Sequence, residues 1–373
     1  MNGSGGGSSS VPKSKPIVGI AFEGDDVKDW TGGELYNRHL YQGWNNVAEV
    51  RFLKIRHRWF LCRLHGLALL LQHLRTLRRC DWVVQDASSI FRSRLLIRLL
   101  RLLCPRIRHL GIIHHPRWLE SSGHRRFEKA FFNDFDHIIT ISRHIEHQLR
   151  RAGVSTPISI LPPGASLNRE YARDTIEKDN DLVMWSGHFF ERKGPHILLE
   201  ALALLPGNLS FHAVFVAAGQ KDPEFWKKFE TQIKTGTLKE RVRLLDRLPD
   251  SQYFNLMRRA GIFCLPSGVE GYSIATAQAM SWGCAILVPR TANFIELIGD
   301  ENYRGFFDLD DAGDLARTLR EVLGNRSVRD AMVSATIKRS GELYTWEEFE
   351  NAGAQLFEKI AADQAGPNCS TEN

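Results

Sequence analysis

The chain has 373 residues, 43% hydrophobic and 25% charged, long enough for two α/β domains of ordinary size. Its six cysteines (Cys62, Cys80, Cys104, Cys264, Cys284 and Cys369) form no C-x-x-C pair, which argues against structural zinc and a disulfide framework and suits a reducing cytosol. No run approaches the roughly 20 apolar residues of a membrane span, no signal peptide is expected, and the net charge of +6 is concentrated in residues 51–109, where 14 Lys/Arg meet only Asp81 and Asp86.

Residues 1–15, rich in Gly and Ser, read as a flexible leader outside the fold. Ile17 to Phe22 is an apolar, β-branched run and predicts a first buried strand. Thr31-Gly32-Gly33-Glu34 then opens a helix reaching about Gly43. Strand, glycine turn and helix form the unit that holds phosphate in doubly wound sheets. Paired glycines let backbone approach a ligand closely, although a plain turn needs them too. Val50 to Ile55 predicts a second strand. Residues 60–79 follow with helical spacing of Leu64, Leu67, Ala68, Leu71 and Leu74, and Trp82 to Val84 predicts a third strand. The helix predicted over 91–103 places Arg94, Arg98 and Arg101 on one stripe. That stripe reads either as a solvated charged face or as a surface for anionic lipid headgroups or an anionic acceptor. Each basic residue near an anionic leaflet contributes about 1 kcal/mol. No nucleic-acid-binding motif accompanies the charge, so no nucleic-acid partner is expected.

His109 to Ile113 predicts a strand ending in His114-His115-Pro116. A histidine at the carboxyl end of a strand in an open α/β sheet points into the ligand crevice. The loop 117–125, with Arg117, suits an acceptor-side flap. A strand over 136–142, a helix over 143–152 and a strand over 157–161 follow, broken by Pro162-Pro163-Gly164. These elements predict a first Rossmann-like domain at 16–165 and a polar linker at 166–181. A second domain over 182–345 opens with the strand Leu182 to Trp185 and then Ser186-Gly187-His188-Phe189-Phe190-Glu191-Arg192-Lys193-Gly194. Strands at 210–217, 242–245, 262–265 and 285–288 alternate with helices near 222–235, 250–259, 308–323 and 326–343. Between Leu265 and a helix starting near Ser273 lies Pro266-Ser267-Gly268-Val269-Glu270-Gly271-Tyr272. A helix opening just after a strand offers free N–H groups and a positive dipole end, both suited to a diphosphate. Thr345 with Glu348 forms a capping box for a last helix over 346–362, and 363–373 reads as a disordered tail.

The stretch from Pro266 to Met280 resembles the donor-site motif of glycosyltransferase family 4, retaining enzymes of the GT-B fold. Glu270 matches the first glutamate of that motif and Ala279-Met280 its tail. Gln278 stands where the family has a second glutamate, and it still donates and accepts hydrogen bonds without charge. Gly187, Lys193 and Gly194 match the family's Gly-Arg and Lys-Gly in register, with His188 at the Arg position. The resemblance implies an α/β, GT-B architecture: two Rossmann-like doubly wound parallel-sheet domains facing a cleft, with the C-terminal helix crossing back to the first domain.

The resemblance also implies roles. Glu270 holds the hexose and Gln278 the ribose hydroxyls. Lys193, with His188 or Arg192, stabilises the leaving diphosphate. Gly33 and the turn Gly271, Tyr272, Ser273 and Ile274 meet the nucleotide-sugar. His114 bonds the sugar near the reacting carbon, and Gly32, His115 and Arg117 lie on the acceptor side. Register favours His114 over His115. No cofactor or metal is expected. Asp134-Phe135-Asp136 and Asp308-Leu309-Asp310 look like the metal-binding Asp-x-Asp of another glycosyltransferase fold, but such tripeptides are ordinary among 43 acidic residues. The expected activity is retaining hexosyl transfer from a nucleotide-diphosphate sugar to a glycan or lipid-linked acceptor. The expected location is cytoplasmic, peripheral on the inner face of the cytoplasmic membrane through residues 51–109. The rivals are a nucleotide-sugar epimerase or phosphorylase of the same fold, and a non-catalytic basic module with a degenerate donor site. His188 and Gln278 are the changes such decay would leave.

Overall fold

The computed structural model describes residues 15–23, 31–55, 72–86, 90–119, 125–165 and 177–365. They form two six-stranded sheets, each parallel throughout. The first holds β1 (Ile17–Glu23), β2 (Glu49–Ile55), β3 (Trp82–Asp86), β4 (Arg108–Ile113), β5 (His137–Thr140) and β6 (Ile158–Ile160), in the order β2-β1-β3-β4-β5-β6. The second holds β7 (Asp179–Phe189), β8 (His212–Lys221), β9 (Val242–Leu245), β10 (Ala260–Cys264), β11 (Ala285–Pro289) and β12 (Phe306–Phe307), in the order β12-β11-β10-β7-β8-β9. Parallel strands covered on both faces need unbroken apolar runs rather than alternation, and every residue of β10 and β11 is buried. Strand order reverses between β1 and β3 and again between β7 and β10. Ligand crevices open at such switch points, outside the carboxyl ends of the strands.

Helices α1 (Gly32–Trp44), α2 (Ile90–Leu103), α3 (Arg125–Phe132) and α4 (Arg143–Arg151) accompany the first sheet. Helices α5 (Pro195–Ala203), α6 (Pro223–Thr235), α7 (Asp250–Arg259), α8 (Ile274–Ser281), α9 (Ala292–Ile298), α10 (Ala312–Gly324) and α11 (Arg326–Ser340) accompany the second. The glycine turn starts α1 with a complete capping box: Thr31 Oγ1 accepts from Glu34 N–H at 3.2 Å, and the Glu34 carboxylate accepts from Thr31 N–H at 2.6 Å. Two free N–H groups are thereby satisfied reciprocally.

The last helix, α12 (Trp346–Ala365), leaves the second sheet and packs on α1. Trp44 Nε1–H donates to the Gly353 carbonyl at 3.0 Å, and the His39 ring stacks on Trp346 with centroids 4.2 Å apart. Gly43 has no side chain for a physical reason: a Cβ there would overlap the Glu350 carbonyl.

Several expected boundaries move. The linker does not reach residue 181, because β7 begins at Asp179, which pairs with Ala260 of β10. The tail does not begin at 363, because α12 runs to Ala365, just before Gly366-Pro367 in the sequence. The expected loop 117–125 contains a 3₁₀ turn, Arg117–Leu119, held by the buried Glu128 of α3, whose carboxylate accepts from the N–H groups of Arg117 and Trp118 at 3.0 Å each. The short elements α3, α5, α9 and β12 carry too few residues to show a period. Of the helix expected over 60–79, residues 60–71 lie outside the described residues, as do the leader through residue 14, linker residues 166–176 and tail residues 366–373.

Overpacking a filled contact costs about 1–3 kcal/mol. Gly43→Ala should therefore lower the urea midpoint clearly, whereas Gly207→Ala, which faces open space, should leave it nearly unchanged. Equal midpoints for the two variants would contradict the close packing of α1 on α12.

Candidate active site between the two sheets

The switch point of the second sheet gathers two loops. After β7 a 3₁₀ turn, Glu191–Lys193, ends at Gly194, whose φ of 67° lies in the left-handed region. Only glycine adopts it at no steric cost, and a Cβ there would also overlap the Pro266 carbonyl of the loop after β10. Trp185 Nε1–H donates to the Lys193 carbonyl at 3.2 Å, and Ser267 Oγ donates to the Arg192 carbonyl at 3.3 Å. The Ser267 hydrogen bond and the close approach of Gly194 to Pro266 thus hold the two loops together. Across them Lys193 Nζ meets Glu270 Oε1 at 2.5 Å, with side chains only 13% and 9% exposed. Burial alone would push the Glu270 carboxyl up. The Lys193 charge, hydrogen bonds from Lys193 and Ser267, and the Arg192 charge outweigh burial and hold it below the usual range.

Next to this pair α8 begins. Ser273, at φ 79°, turns its hydroxyl to Thr276 Oγ1 at 2.8 Å and does not cap the helix. The first N–H groups of α8 therefore have no side-chain cap, and a helix start of this kind favours an anion. Tyr272 is buried in the core, and burial pushes its phenol far above the ordinary value. Its ring packs inward, so only its backbone is available to a nucleotide-sugar. Gln278 is half-buried on α8 and forms no side-chain hydrogen bond among the described residues.

His188 corrects one expectation. Its Nδ1 accepts from Gln220 N–H at 2.8 Å. Burial first, then the Lys193 and Arg192 charges, lower its pKa against the pull of Glu270. The ring is neutral and carries its proton on Nε2, so it is a donor and not the cation that a protonated His188 would be. The cations beside it are Lys193 and the exposed Arg192.

The first sheet supplies the opposite wall. The His114 ring lies 3.3 Å from where a Gly33 Cβ would stand, and Ile274 lies 3.5 Å from that of Gly32. His114 Nε2 is 3.0 Å from Asn37 Oδ1 and 3.5 Å from Asp86 Oδ2, and the Tyr36 ring meets its edge at 4.9 Å. The His114 carbonyl packs against Gly271, where a Cβ would overlap it. Ser142 Oγ donates to the Gly271 carbonyl at 2.9 Å, and the two Glu296 oxygens accept from the Arg143 and His144 N–H groups at 2.8 Å. Glu270, Gly271, Ile274, Gly32, Gly33 and His114 therefore converge. His115 is half-buried beside His114, and Arg117 is exposed on the turn that follows.

Sequence reasoning does not single out Asn37, Asp86 or Glu296, and it marks Ser142 only as the cap that starts α4, which it is. Asp86 carries the same signal as His114, a polar residue at the carboxyl end of a strand. Asn37 stands four residues beyond Gly33, one turn along α1. Nothing local marks Ser142 or Glu296 as partners across the sheets. The arginine stripe of α2 is partly engaged: Arg94 Nε lies 3.2 Å from Asp134 and Arg101 lies 3.2 Å from Asp136. Those two aspartates anchor α2, and among the described residues no three His, Cys, Asp or Glu side chains converge as a metal site requires.

Two doubly wound lobes, the second with a buried Lys–Glu pair beside an uncapped helix start, are the build of a GT-B glycosyltransferase, and sequence comparison agrees. Residues 168–339 match the model of glycosyl transferases group 1, and residues 29–169 match that of glycosyltransferase family 4. The chain belongs to glycosyltransferase family 4. It is 25% identical over 191 residues to a phosphatidyl-myo-inositol mannosyltransferase of Mycolicibacterium smegmatis, covering 50% of this chain and 47% of that protein. It is 26% identical over 155 residues to the lipopolysaccharide glucosyltransferase WaaG of Escherichia coli, covering 38% and 40%. The chain spans about half the length of these curated relatives. Among solved structures, sucrose-phosphate synthase from Thermosynechococcus elongatus superposes with a TM-score of 0.74 at 18% identity, covering 94% of this chain and 100% of that one. Anabaena HepE, solved in complex with UDP and glucose, superposes with a TM-score of 0.73 at 16% identity, covering 92% and 99%.

Removing one partner of a buried ion pair costs about 3–5 kcal/mol. Lys193→Met should destabilise by that order, and Lys193→Met combined with Glu270→Leu should recover much of the loss. The folded pKa of Glu270 lies below its unfolded value, so its stabilisation is present above the ordinary glutamate range and disappears as pH falls through the folded value. The difference in urea midpoint between the wild type and Glu270→Gln should shrink between about pH 6 and about pH 3. A difference that grows on acidification would show the opposite sign of shift.

Proposed function

We propose that the chain transfers a hexose from a nucleotide-diphosphate sugar to a hydroxyl of a glycan or lipid-linked acceptor, with retention of anomeric configuration and without a metal. The observation that carries this reading is the buried Lys193–Glu270 pair beside the uncapped start of α8. Lys193 has two further ammonium protons for the leaving diphosphate while it keeps Glu270 ionised. The α8 N–H groups take the remaining phosphate charge, and His188 donates from Nε2. Glu270 accepts from hexose hydroxyls, and Gln278 faces the ribose. Glu270 is tied to Lys193 and is not a free nucleophile, which favours a same-face displacement over a covalent intermediate.

The donor class follows by likeness to HepE, whose complex holds UDP and glucose. The acceptor class follows by likeness to the mannosyltransferase and WaaG, named for a phosphatidylinositol and a lipopolysaccharide. An acceptor of that kind suits an enzyme held at a cytoplasmic membrane face. The first lobe has a surface of matching character: Leu102, next in sequence to Arg101, is 77% exposed, and Phe127, under the Arg94 guanidinium, is 56% exposed. Amphipathic surfaces of this type bind anionic interfaces reversibly.

Transfer should be assayed with UDP-glucose and GDP-mannose in the presence of a chelator. Glu270→Gln should lower kcat/KM by about 10²–10³-fold, and Lys193→Ala should weaken nucleotide-diphosphate binding by calorimetry. Unchanged turnover in Glu270→Gln would remove the proposed mechanism. Sedimentation with anionic vesicles should fall in a Leu102→Asp, Phe127→Asp double variant, and equal binding by wild type and variant would discard this surface as the membrane contact.

A further inference from the structure

We propose that Asp86 and Asn37 are positioning residues that set the tautomer of His114, making its Nδ1 a hydrogen-bond acceptor for a sugar hydroxyl in the cleft. The inference rests on the glycosyl-transfer reading for its ligand, and on geometry alone for the tautomer. Asn37 Nδ2 lies 2.5 Å from Asp86 Oδ2. An ionised carboxylate only accepts, so the amide must turn its NH2 toward Asp86. Asn37 Oδ1 is then the atom facing His114 Nε2, at 3.0 Å, and the second acceptor near that nitrogen is Asp86 Oδ2, at 3.5 Å. Two acceptors around one ring nitrogen require that nitrogen to hold the proton. In the neutral imidazole the other nitrogen, Nδ1, is left with a lone pair.

The surroundings prevent the ring from turning over. The Gly33 turn packs on its Cδ2 side and Tyr36 meets it edge-on, while Tyr36 is itself fixed by donating its hydroxyl to the Leu161 carbonyl at 3.0 Å. His114 Nδ1 has no protein partner among the described residues and is not sealed from solvent. The ring stands between the Gly33 turn and the Gly271 loop, where the donor's sugar end is expected. An acceptor there matches a hydroxyl and not a phosphate oxygen, which itself only accepts. Asp86 and Asn37 thus direct His114 to the sugar and leave the diphosphate to Lys193 and α8.

The test is ¹⁵N NMR of the full chain labelled at histidine, at about pH 8, above the ordinary histidine range, with the His114 signals assigned by loss in His114→Gln. The wild type should show the Nε2–H form. In Asp86→Asn the amide of Asn37 is free to invert, and the spectrum should shift toward the Nδ1–H form or a mixture. In transfer assays the same variant should lose about 10–100-fold in kcat, with UDP affinity unchanged and activity partly restored in Asp86→Glu. Asp86→Ala, which removes the carboxylate that orients the amide and also the second acceptor at Nε2, carries the same expectation if Asp86→Asn does not fold. An Nδ1–H form in the wild type, or an Nε2–H form that survives both substitutions, overturns the proposal. The ring measurement needs no turnover, so absence of transfer from any donor would defeat the glycosyl-transfer reading while the tautomer result stands by itself.

Discussion

A buried lysine and glutamate joined across two loops are the constraint on which the site depends. Neither charge is tolerable alone in that position, because desolvation is offset only while both are present and hydrogen-bonded. The loops that carry them follow β7 and β10, adjacent strands in space whose connections run in opposite directions along the sheet. Only a strand order that reverses there brings the two loop ends side by side. Gly194 then allows the contact, since its left-handed backbone lies directly under the Pro266 carbonyl. Topology, one glycine and one ion pair therefore act as a single device that holds a carboxylate ionised beside a helix start.

The facing lobe contributes a hydrogen-bonded relay where this one contributes a cation. Asp86, Asn37 and His114 form a chain of hydrogen bonds at the switch point of the first sheet. The lobes meet through Ser142 to Gly271 and through Glu296 to the start of α4. Glu296 does for α4 what a bound anion would do at α8: it fills backbone N–H groups at a helix start. One such helix start is thus closed by the protein and the other is left open to a ligand.

Most of the architecture is legible in the sequence because parallel strands and long helices have strong periods. The runs at Ile17, Ile262 and Ala285 are apolar throughout, as strands covered on both faces must be. Val50 to Ile55 interleaves Arg51 and Lys54, and the strand it forms takes the edge of the first sheet. Glu270 and His114 stand out because each lies beyond such a strand, and Lys193 through the family resemblance that sets it in register with Glu270. The remainder is hidden for definite reasons. Elements as short as α9 or β12 display about two turns or a single pair of residues. The state of His188 depends on an N–H from Gln220, 32 residues away. The arginine stripe reads as wholly free because its partners, Asp134 and Asp136, come from a different strand connection. Tyr272 sits inside a binding motif yet buries its ring in the core, which no local pattern records.

The return of α12 to the first lobe has a topological consequence. The second lobe is an insertion within the first, since the chain leaves after β6 and comes back before Trp346. The outgoing and returning segments run side by side: Ala165 N–H donates to the Tyr344 carbonyl at 3.0 Å, and Gly164 lies against Trp346. The two ends of the inserted lobe are therefore anchored next to each other on the first lobe. For the same reason residues 16–165 do not make a complete folding unit, because Trp44 and Leu40 find part of their packing on a helix encoded about 300 residues later.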